Sequence, residues 1–340
     1  MKGALIQTPS GLCAPRPMAR KKKKGGRRVA NYHCSVKVKS RSKGDNAVRA
    51  AAYRAAARLV CDETGEEFDY TRKRGVAHSE ILLPASAPSW AADREALWNG
   101  VHAVEARKNS QLCREIECSL PHELSEAQRL DLARRFCRSF TDEGMVADLN
   151  VHTPGRHSDE RNHHIHVLLT LREFDESGAW SKNKNRDWNS KDWLVEARER
   201  WADMCNEALA AAGFNATVSA ASLVQQKTDA FLAGDTALAA LFDRDPEPHL
   251  GPAAHAMEQK AKLAALEEGT AYVPVTRLGE LREEVRGERS FLQALYDKVS
   301  AAKSAVGDLL QAVPGKIISI FKKEEPAPPR GKDPDPSPSF

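Results

Sequence analysis

The run Met145-Val146-Ala147-Asp148-Leu149-Asn150-Val151-His152-Thr153 and the run Asn162-His163-His164-Ile165-His166-Val167-Leu168-Leu169 decide the fold. Both alternate with period two, as half-buried strands do. Asp148, Asn150 and His152 fall on one face of the first; Ala147, Leu149 and Val151 fall on the other. In the second, His164, His166 and Leu168 share a face, and Ile165, Val167 and Leu169 point away. Pro154–Arg161 between them is polar and turn-like, so the runs are predicted to fold back and pair. Three imidazoles, His152, His164 and His166, then converge on one face. Three neutral ligands with an open position are how a catalytic divalent metal is held. The competing reading is a surface hairpin rich in histidine. His157 and His163 fall in the loop or on the opposite face, outside the ligand set.

The chain has 340 residues, 41% of them hydrophobic, enough for one sizeable core with extensions or for two small domains. No apolar run approaches the roughly 18 residues of a membrane span. The basic N-terminus lacks the apolar stretch of a secretory signal. The seven cysteines (Cys13, Cys34, Cys61, Cys113, Cys118, Cys137 and Cys205) form no CxxC pair and no framework spacing. They point to reduced thiols in a cytosolic protein.

The net charge of +4 conceals a strong polarity. Residues 20–58 hold fourteen Lys and Arg against a single acid, Asp45, so the rest of the chain is net acidic. One concentrated basic end suggests a polyanionic partner, nucleic acid first and an anionic membrane surface second. A basic tail that merely aids solubility is the plainer alternative. Lys37, Lys39, Arg41, Lys43, Arg49 and Arg54 are the candidate contacts to a DNA backbone, which position DNA without reading its sequence.

Residues 1–29 read as a disordered basic extension, within which Met18 is a possible internal start. A strand follows, with Tyr32, Cys34, Val36 and Val38 inward. Asp45 or Asn46 caps a predicted helix over Ala47–Val60. Val76–Leu83 and Cys113–Leu120 read as strands, with a helix over Trp90–Lys108 between them. Ser125 and Gln128 form a capping box for a helix running to about Phe140. After the histidine hairpin, an amphipathic helix over Lys191–Ala212 ends at Gly213. Strands and helices interleave while the best strand pair is antiparallel, so the class is α+β. Residues 30–223 form the main folded unit. Residues 224–321 form a helical accessory region broken at Asp245–Pro252, and 322–340 a disordered Pro-rich tail.

Tyr53 is the candidate nucleophile. On a helix it shares its face with Arg49, Ala56 and Ala57, so a bulky backbone such as DNA can approach it. A phenol acts as a nucleophile when its proton is removed and the electrophile is polarised, and a metal on three neutral imidazoles polarises a phosphate. An ordinary half-buried helix tyrosine is the alternative. Tyr32, inward on a strand, and Tyr70, among turn-like charged residues, rank below it. Glu115 and Glu117 share a strand face; either could orient a ligand histidine or act as a base, and a solvated face is narrowly the favoured reading. Trp180 and Trp188 are read as core packing ahead of base stacking.

Asn31-Tyr32-His33-Cys34-Ser35-Val36-Lys37, Ser40-Arg41-Ser42-Lys43-Gly44 and Ala51-Ala52-Tyr53-Arg54 resemble the start of the MobA/MobL-type plasmid relaxases (the MobQ class). The similarity continues through Asp69-Tyr70-Thr71-Arg72-Lys73, His78-Ser79-Glu80-Ile81-Leu82-Leu83-Pro84, Arg107-Lys108-Asn109-Ser110 and Arg114-Glu115-Ile116-Glu117. Asn162-His163-His164-Ile165-His166 is similar to that family's histidine–hydrophobe–histidine motif, and Glu247-Pro248-His249-Leu250-Gly251-Pro252 to its downstream signature. The resemblance spans about residues 30–255.

What the resemblance implies is a central antiparallel sheet flanked by helices, followed here by a helical C-terminal extension, with 30–223 as the catalytic domain. It implies a site- and strand-specific DNA transesterase of plasmid mobilisation. Tyr53 would form a 5′-phosphotyrosyl bond at a transfer origin and free a 3′-OH, and the reverse reaction would rejoin the ends. His152, His164 and His166 would hold Mg2+ or Mn2+, though imidazole chemistry equally allows Zn2+. The implied partners are single-stranded and hairpin origin DNA, accessory relaxosome proteins and a coupling protein in the bacterial cytoplasm, with no small-molecule substrate. Two departures stand out: His163 replaces a frequent proline, and Ser219-Ala220-Ala221-Ser222-Leu223 replaces a common Asp-His-Arg-Ser-Leu, removing possible phosphate contacts. A replication-initiator or transposase-like nuclease shares this chemistry, and a non-catalytic DNA-binding accessory protein would show binding with no covalent adduct.

Overall fold

The computed structural model describes residues 28–29, 31–155 and 159–312. The remainder of the N-terminal extension with Met18, His157 and the Pro-rich tail lie outside the described residues. The first half of the chain forms β1 (Arg28–Val29), β2 (Cys34–Ser40), α1 (Ala47–Ala55), β3 (Arg58–Val60), β4 (Glu67–Asp69), β5 (Val76–Leu82) and α2 (Arg94–Val104). Then follow β6 (Gln111–Ser119), α3 (Glu126–Thr141), β7 (Ala147–His152), β8 (His164–Leu169), α4 (Lys191–Ala211) and β9 (Ala216–Thr217). The last four helices are α5 (Leu223–Leu232), α6 (Thr236–Phe242), α7 (Pro252–Glu268) and α8 (Arg277–Ala312).

Five strands form one antiparallel sheet in the order β2-β6-β8-β7-β5. Helices cover both faces, which is the α+β architecture read from the interleaved pattern. On one face Ile116, Ala147, Leu149, Ile165, Val167 and Leu169 pack against Phe136, Phe140 and Trp201 of α3 and α4. Each such fully buried large side chain contributes about 1.5–3 kcal/mol. On the other face Cys113 and Leu168 pack with the alanines of α1 and with Leu97 and Trp98 of α2. That second face also carries the polar side of the histidine hairpin. Its buried end is closed by Asp148, fully shielded, which accepts from Arg94 and from the Trp98 indole.

Helix ends differ instructively from their sequence signals. The Ser125–Gln128 capping box forms, with each side chain on the other's backbone N–H. Asn46 caps α1 by accepting from the Arg49 N–H at 2.9 Å. The helix then stops at Ala55 rather than running to Val60. Ala56 adopts φ 52°, the left-handed region, and Arg58–Val60 pairs with β4 as a hairpin. The Trp90–Lys108 expectation is also shortened: a 3-10 turn spans Ser89–Ala92, and Asp93 starts α2 by accepting from the Ala96 N–H. Near the start of the described residues, Arg28–Val29 pairs in parallel with Ala216–Thr217.

The last four helices lie between Leu223 and Ala312. Glu247, in the break before α7, pairs with Arg282 and Arg286 of α8. Among the described residues no helix is long and apolar enough to cross a membrane.

Candidate active site

Antiparallel pairing of β7 with β8 sets His152 opposite His164 and Asn150 opposite His166. The three rings therefore meet at the end of the two central strands, with centroids 4.8–5.3 Å apart. One ring nitrogen from each lies within 4.8 Å of the others. A tetrahedral ion bound at about 2.1 Å needs nitrogens roughly 3.4 Å apart, closer than the 4.8 Å within which these lie.

The outer nitrogens fix the tautomers. His152 Nε2 faces the Arg54 carbonyl at 2.8 Å, and His164 Nδ1 faces the Asn162 carbonyl at 2.9 Å. His166 Nδ1 faces the Glu115 carboxylate at 2.9 Å. Each partner only accepts, so each of these nitrogens donates. The lone pairs left free are Nδ1 of His152 and Nε2 of His164 and His166. Outward hydrogen bonds of this kind accompany metal-ligating histidines. Burial pushes His152 down to about 3 and lowers His164 too, against the hydrogen bond each gives to a carbonyl, so both are neutral. The donor set fits a divalent cation. Neutral imidazoles suit Zn2+ better than Mg2+.

Tyr53 stands on the last turn of α1, 48% exposed. It lines a cleft of about 160 Å3 together with Lys39, Arg49, Arg54 and Tyr70. Tyr70 meets its ring edge-on at 5.2 Å. The next residue supplies the carbonyl that holds His152, so the helix that carries Tyr53 is bonded directly to the histidine cluster. Lys73, which nothing in the run Arg72-Lys73-Arg74 singles out, lies over the Tyr53 ring at 4.0 Å and donates to the Tyr53 carbonyl at 2.8 Å.

Glu115 is 2% exposed, which overturns the solvated-face reading for this residue. It accepts from Arg54 and His166 and pairs with Lys39 at 3.2 Å. Burial alone would raise its pKa, but the His166 bond and the Arg54 and Lys39 charges outweigh that and hold it far below the carboxylate range. A carboxylate so stabilised orients His166 and makes a poor base. Glu117, opposite His166 in register, is less buried and pairs with Lys37.

The remaining candidates separate by what they touch. Arg41 donates to the Glu105 and His102 carbonyls and pairs with Glu63 at 2.8 Å, its side chain 15% exposed. Arg54 is likewise occupied by Glu115, whereas Lys37, Lys43 and Arg49 are exposed. Tyr32 donates to the Arg198 carbonyl at 2.8 Å, and burial drives its pKa far up. Trp188 is buried and Trp180 stacks on Phe174 at 4.1 Å, as packing requires. The ligand-like cluster among the described residues contains neither His163 nor a carboxylate.

The family model described as the MobA/MobL family matches residues 45–260, which includes Tyr53 and all three histidines. The chain belongs to the MobA/MobL family. Among relatives of this MobA/MobL protein, mobilization protein MobL of Acidithiobacillus ferridurans is 34% identical over 261 residues, 68% of this chain and 65% of the relative. Conjugal transfer protein TraA of Agrobacterium fabrum is 31% identical over 293 residues, 77% of this chain and 24% of its own length. The MobA/MobL chain therefore spans less than two thirds of either relative. A solved structure described as "Molecular Basis of Vancomycin Resistance Transfer in Staphylococcus aureus" shares 40% identity and a TM-score of 0.53. The match covers 57% of this chain and all of that one.

Proposed function

We propose that this MobA/MobL protein is a metal-assisted DNA relaxase that nicks one strand of a transfer origin and rejoins it after conjugative transfer. The observation that carries the reading is the bond from His152 to the Arg54 carbonyl, which ties the three-imidazole cluster to the helix that presents an exposed tyrosine. In this reading the Tyr53 phenol oxygen bonds to the phosphorus at the nick site as the bond to the 3′ oxygen breaks. The phenol proton is given up and the leaving oxygen takes one, so the products are a 5′-phosphotyrosyl end and a free 3′-OH. One phosphodiester replaces another of similar energy, and the reverse attack by a 3′-OH reseals the strand.

His152, His164 and His166 would hold Mn2+, Mg2+ or Zn2+, which when bound withdraws charge from the phosphate oxygens. Glu115 keeps His166 in the tautomer that offers Nε2, and Arg54 and Lys39 keep Glu115 ionised. Arg49 and Lys43 supply exposed positive charge for the DNA backbone, whereas Lys37 is paired with Glu117. The proposed partners are single-stranded and hairpin origin DNA, accessory proteins and a coupling protein, in the cytoplasm.

The test starts with a supercoiled plasmid carrying the DNA that flanks the protein's own gene, in which the nick is mapped in the presence of Mn2+. An oligonucleotide spanning that nick is then assayed for an SDS-stable adduct. The expected result is an adduct lost with EDTA and in Tyr53→Phe. An adduct persisting in Tyr53→Phe moves the chemistry to another tyrosine, with Tyr70 next. Tight binding with no nick and no adduct replaces the relaxase by an accessory protein.

A further inference from the structure

Lys73 has no carboxylate partner among the ion pairs of the described residues, although Lys39 and Arg54, which line the Tyr53 cleft, both have one. It is held at a defined place. The turn after β4 brings the chain back through Gly75, whose φ of +91° favours glycine. The Gly75 carbonyl accepts from the Thr153 N–H at 2.8 Å, and Val76 pairs with His152. Lys73 is thus carried three residues from a strand position facing one histidine, while its ammonium lies 4.0 Å from the centre of the Tyr53 ring. Its charge acts on both His152 and His164. Burial, reinforced by the Arg54 charge, pushes Lys73 down to about 8, which marks a cation that lacks its counter-charge.

We propose that Lys73 binds the phosphodiester attacked by Tyr53, its ammonium lying against the Tyr53 ring and within electrostatic reach of His152 and His164, so that the DNA phosphate is its missing anion. The assignment rests on the relaxase reading and names the residue that takes the charge of the reacting group. The competing role is structural: the ammonium also donates to a carbonyl in the last turn of α1, where a cation caps a helix end.

Lys73→Gln separates the two, because the amide keeps a hydrogen-bond donor on a side chain one bond shorter but carries no charge. Full-length protein is compared with Lys73→Gln and Lys73→Arg, each also in a Tyr53→Phe background, in EDTA. Binding to the nick-spanning oligonucleotide is measured across a salt series, with the nick phosphate either natural or replaced by a neutral methylphosphonate.

The expected result is that Lys73→Gln lowers the slope of log Kd against log salt by about 0.7, the single-strand value for one phosphate contact. The methylphosphonate should lower it equally with Lys73 present and not at all in Lys73→Gln. With Mn2+ and Tyr53 restored, adduct formation should fall about 10²-fold in Lys73→Gln, and Lys73→Arg should recover most of it. An unchanged slope in Lys73→Gln, or a methylphosphonate effect that persists there, overturns the assignment. Should Lys73→Gln not fold, the same scan on the lysine protein decides, since a slope indifferent to the nick phosphate also overturns it. A wild-type protein that forms no adduct overturns the relaxase reading instead.

Discussion

Glu115 gathers Arg54, Lys39 and His166 around one buried carboxylate. Glu115→Gln keeps an acceptor for His166 but strands two cations. Breaking a buried charge group in this way costs on the order of 3 kcal/mol, and loosening an outer partner of a ligand weakens metal affinity about 10–100-fold. We expect both effects, read by urea unfolding and by Mn2+ titration against a competing chelator; Mn2+ affinity equal to wild type would show that His166 needs no orienting partner. The histidines themselves were legible because a period of two pins faces: once one side of β7 and β8 is apolar, His152, His164 and His166 must share the other. The same rule placed Glu115 and Glu117 on one face but could not say what covers it. The cover is Arg54, which reaches over from α1.

Helix α1 positions both Tyr53 and the Arg54 carbonyl, so its two ends matter. Its start was legible in Asn46; its stop was not, because Ala56 is a strong helix former that turns left-handed only as the chain enters the β3–β4 hairpin. Left-handed backbone costs alanine roughly 1–2 kcal/mol, and glycine loses about 0.5–1 kcal/mol of backbone entropy. Ala56→Gly should therefore stabilise by about 0.5–1 kcal/mol, raising the thermal midpoint by a few degrees at most. The start is also held by His102 Nε2, which accepts the Ala47 N–H at 2.9 Å and so must be neutral there. Burial, aided by the Arg41 charge and opposed by Glu63, lowers the His102 pKa. The unfolded chain then binds a proton below about pH 6.5 that the folded one refuses. The stabilisation is whole above that pH and is lost as pH falls through the folded value. The urea midpoint of His102→Gln should fall less than wild type between pH 7 and 5; parallel curves would remove His102 as the cause.

Across the whole molecule, the fold class and the basic end were legible, but the free charge was not. Counting Lys and Arg over residues 20–58 treats every cation as available, whereas folding brings acids from distant strands. Lys37 meets Glu117, Lys39 and Arg54 meet Glu115, Arg41 meets Glu63, and Arg58 meets Glu67. A cation already neutralised releases few counterions when DNA binds, so it adds little to the salt dependence. Arg41 and Lys43, two residues apart, make the contrast measurable. Arg41 is enclosed by Glu63, His102 and the Glu105 carbonyl, so Arg41→Met should cost about 1–3 kcal/mol of stability through unmet buried groups. It should leave the slope of log Kd against log salt unchanged. Lys43 is exposed on the turn before α1, so Lys43→Ala should leave stability within about 0.5 kcal/mol. If Lys43 contacts a single-strand phosphate, that variant lowers the slope by about 0.7. Urea unfolding and a salt series on the same oligonucleotide read both quantities. The opposite outcome, a slope that falls for Arg41→Met and holds for Lys43→Ala, would mean that DNA displaces Glu63 and opens the wall beside α1, making the bound state a rearranged one.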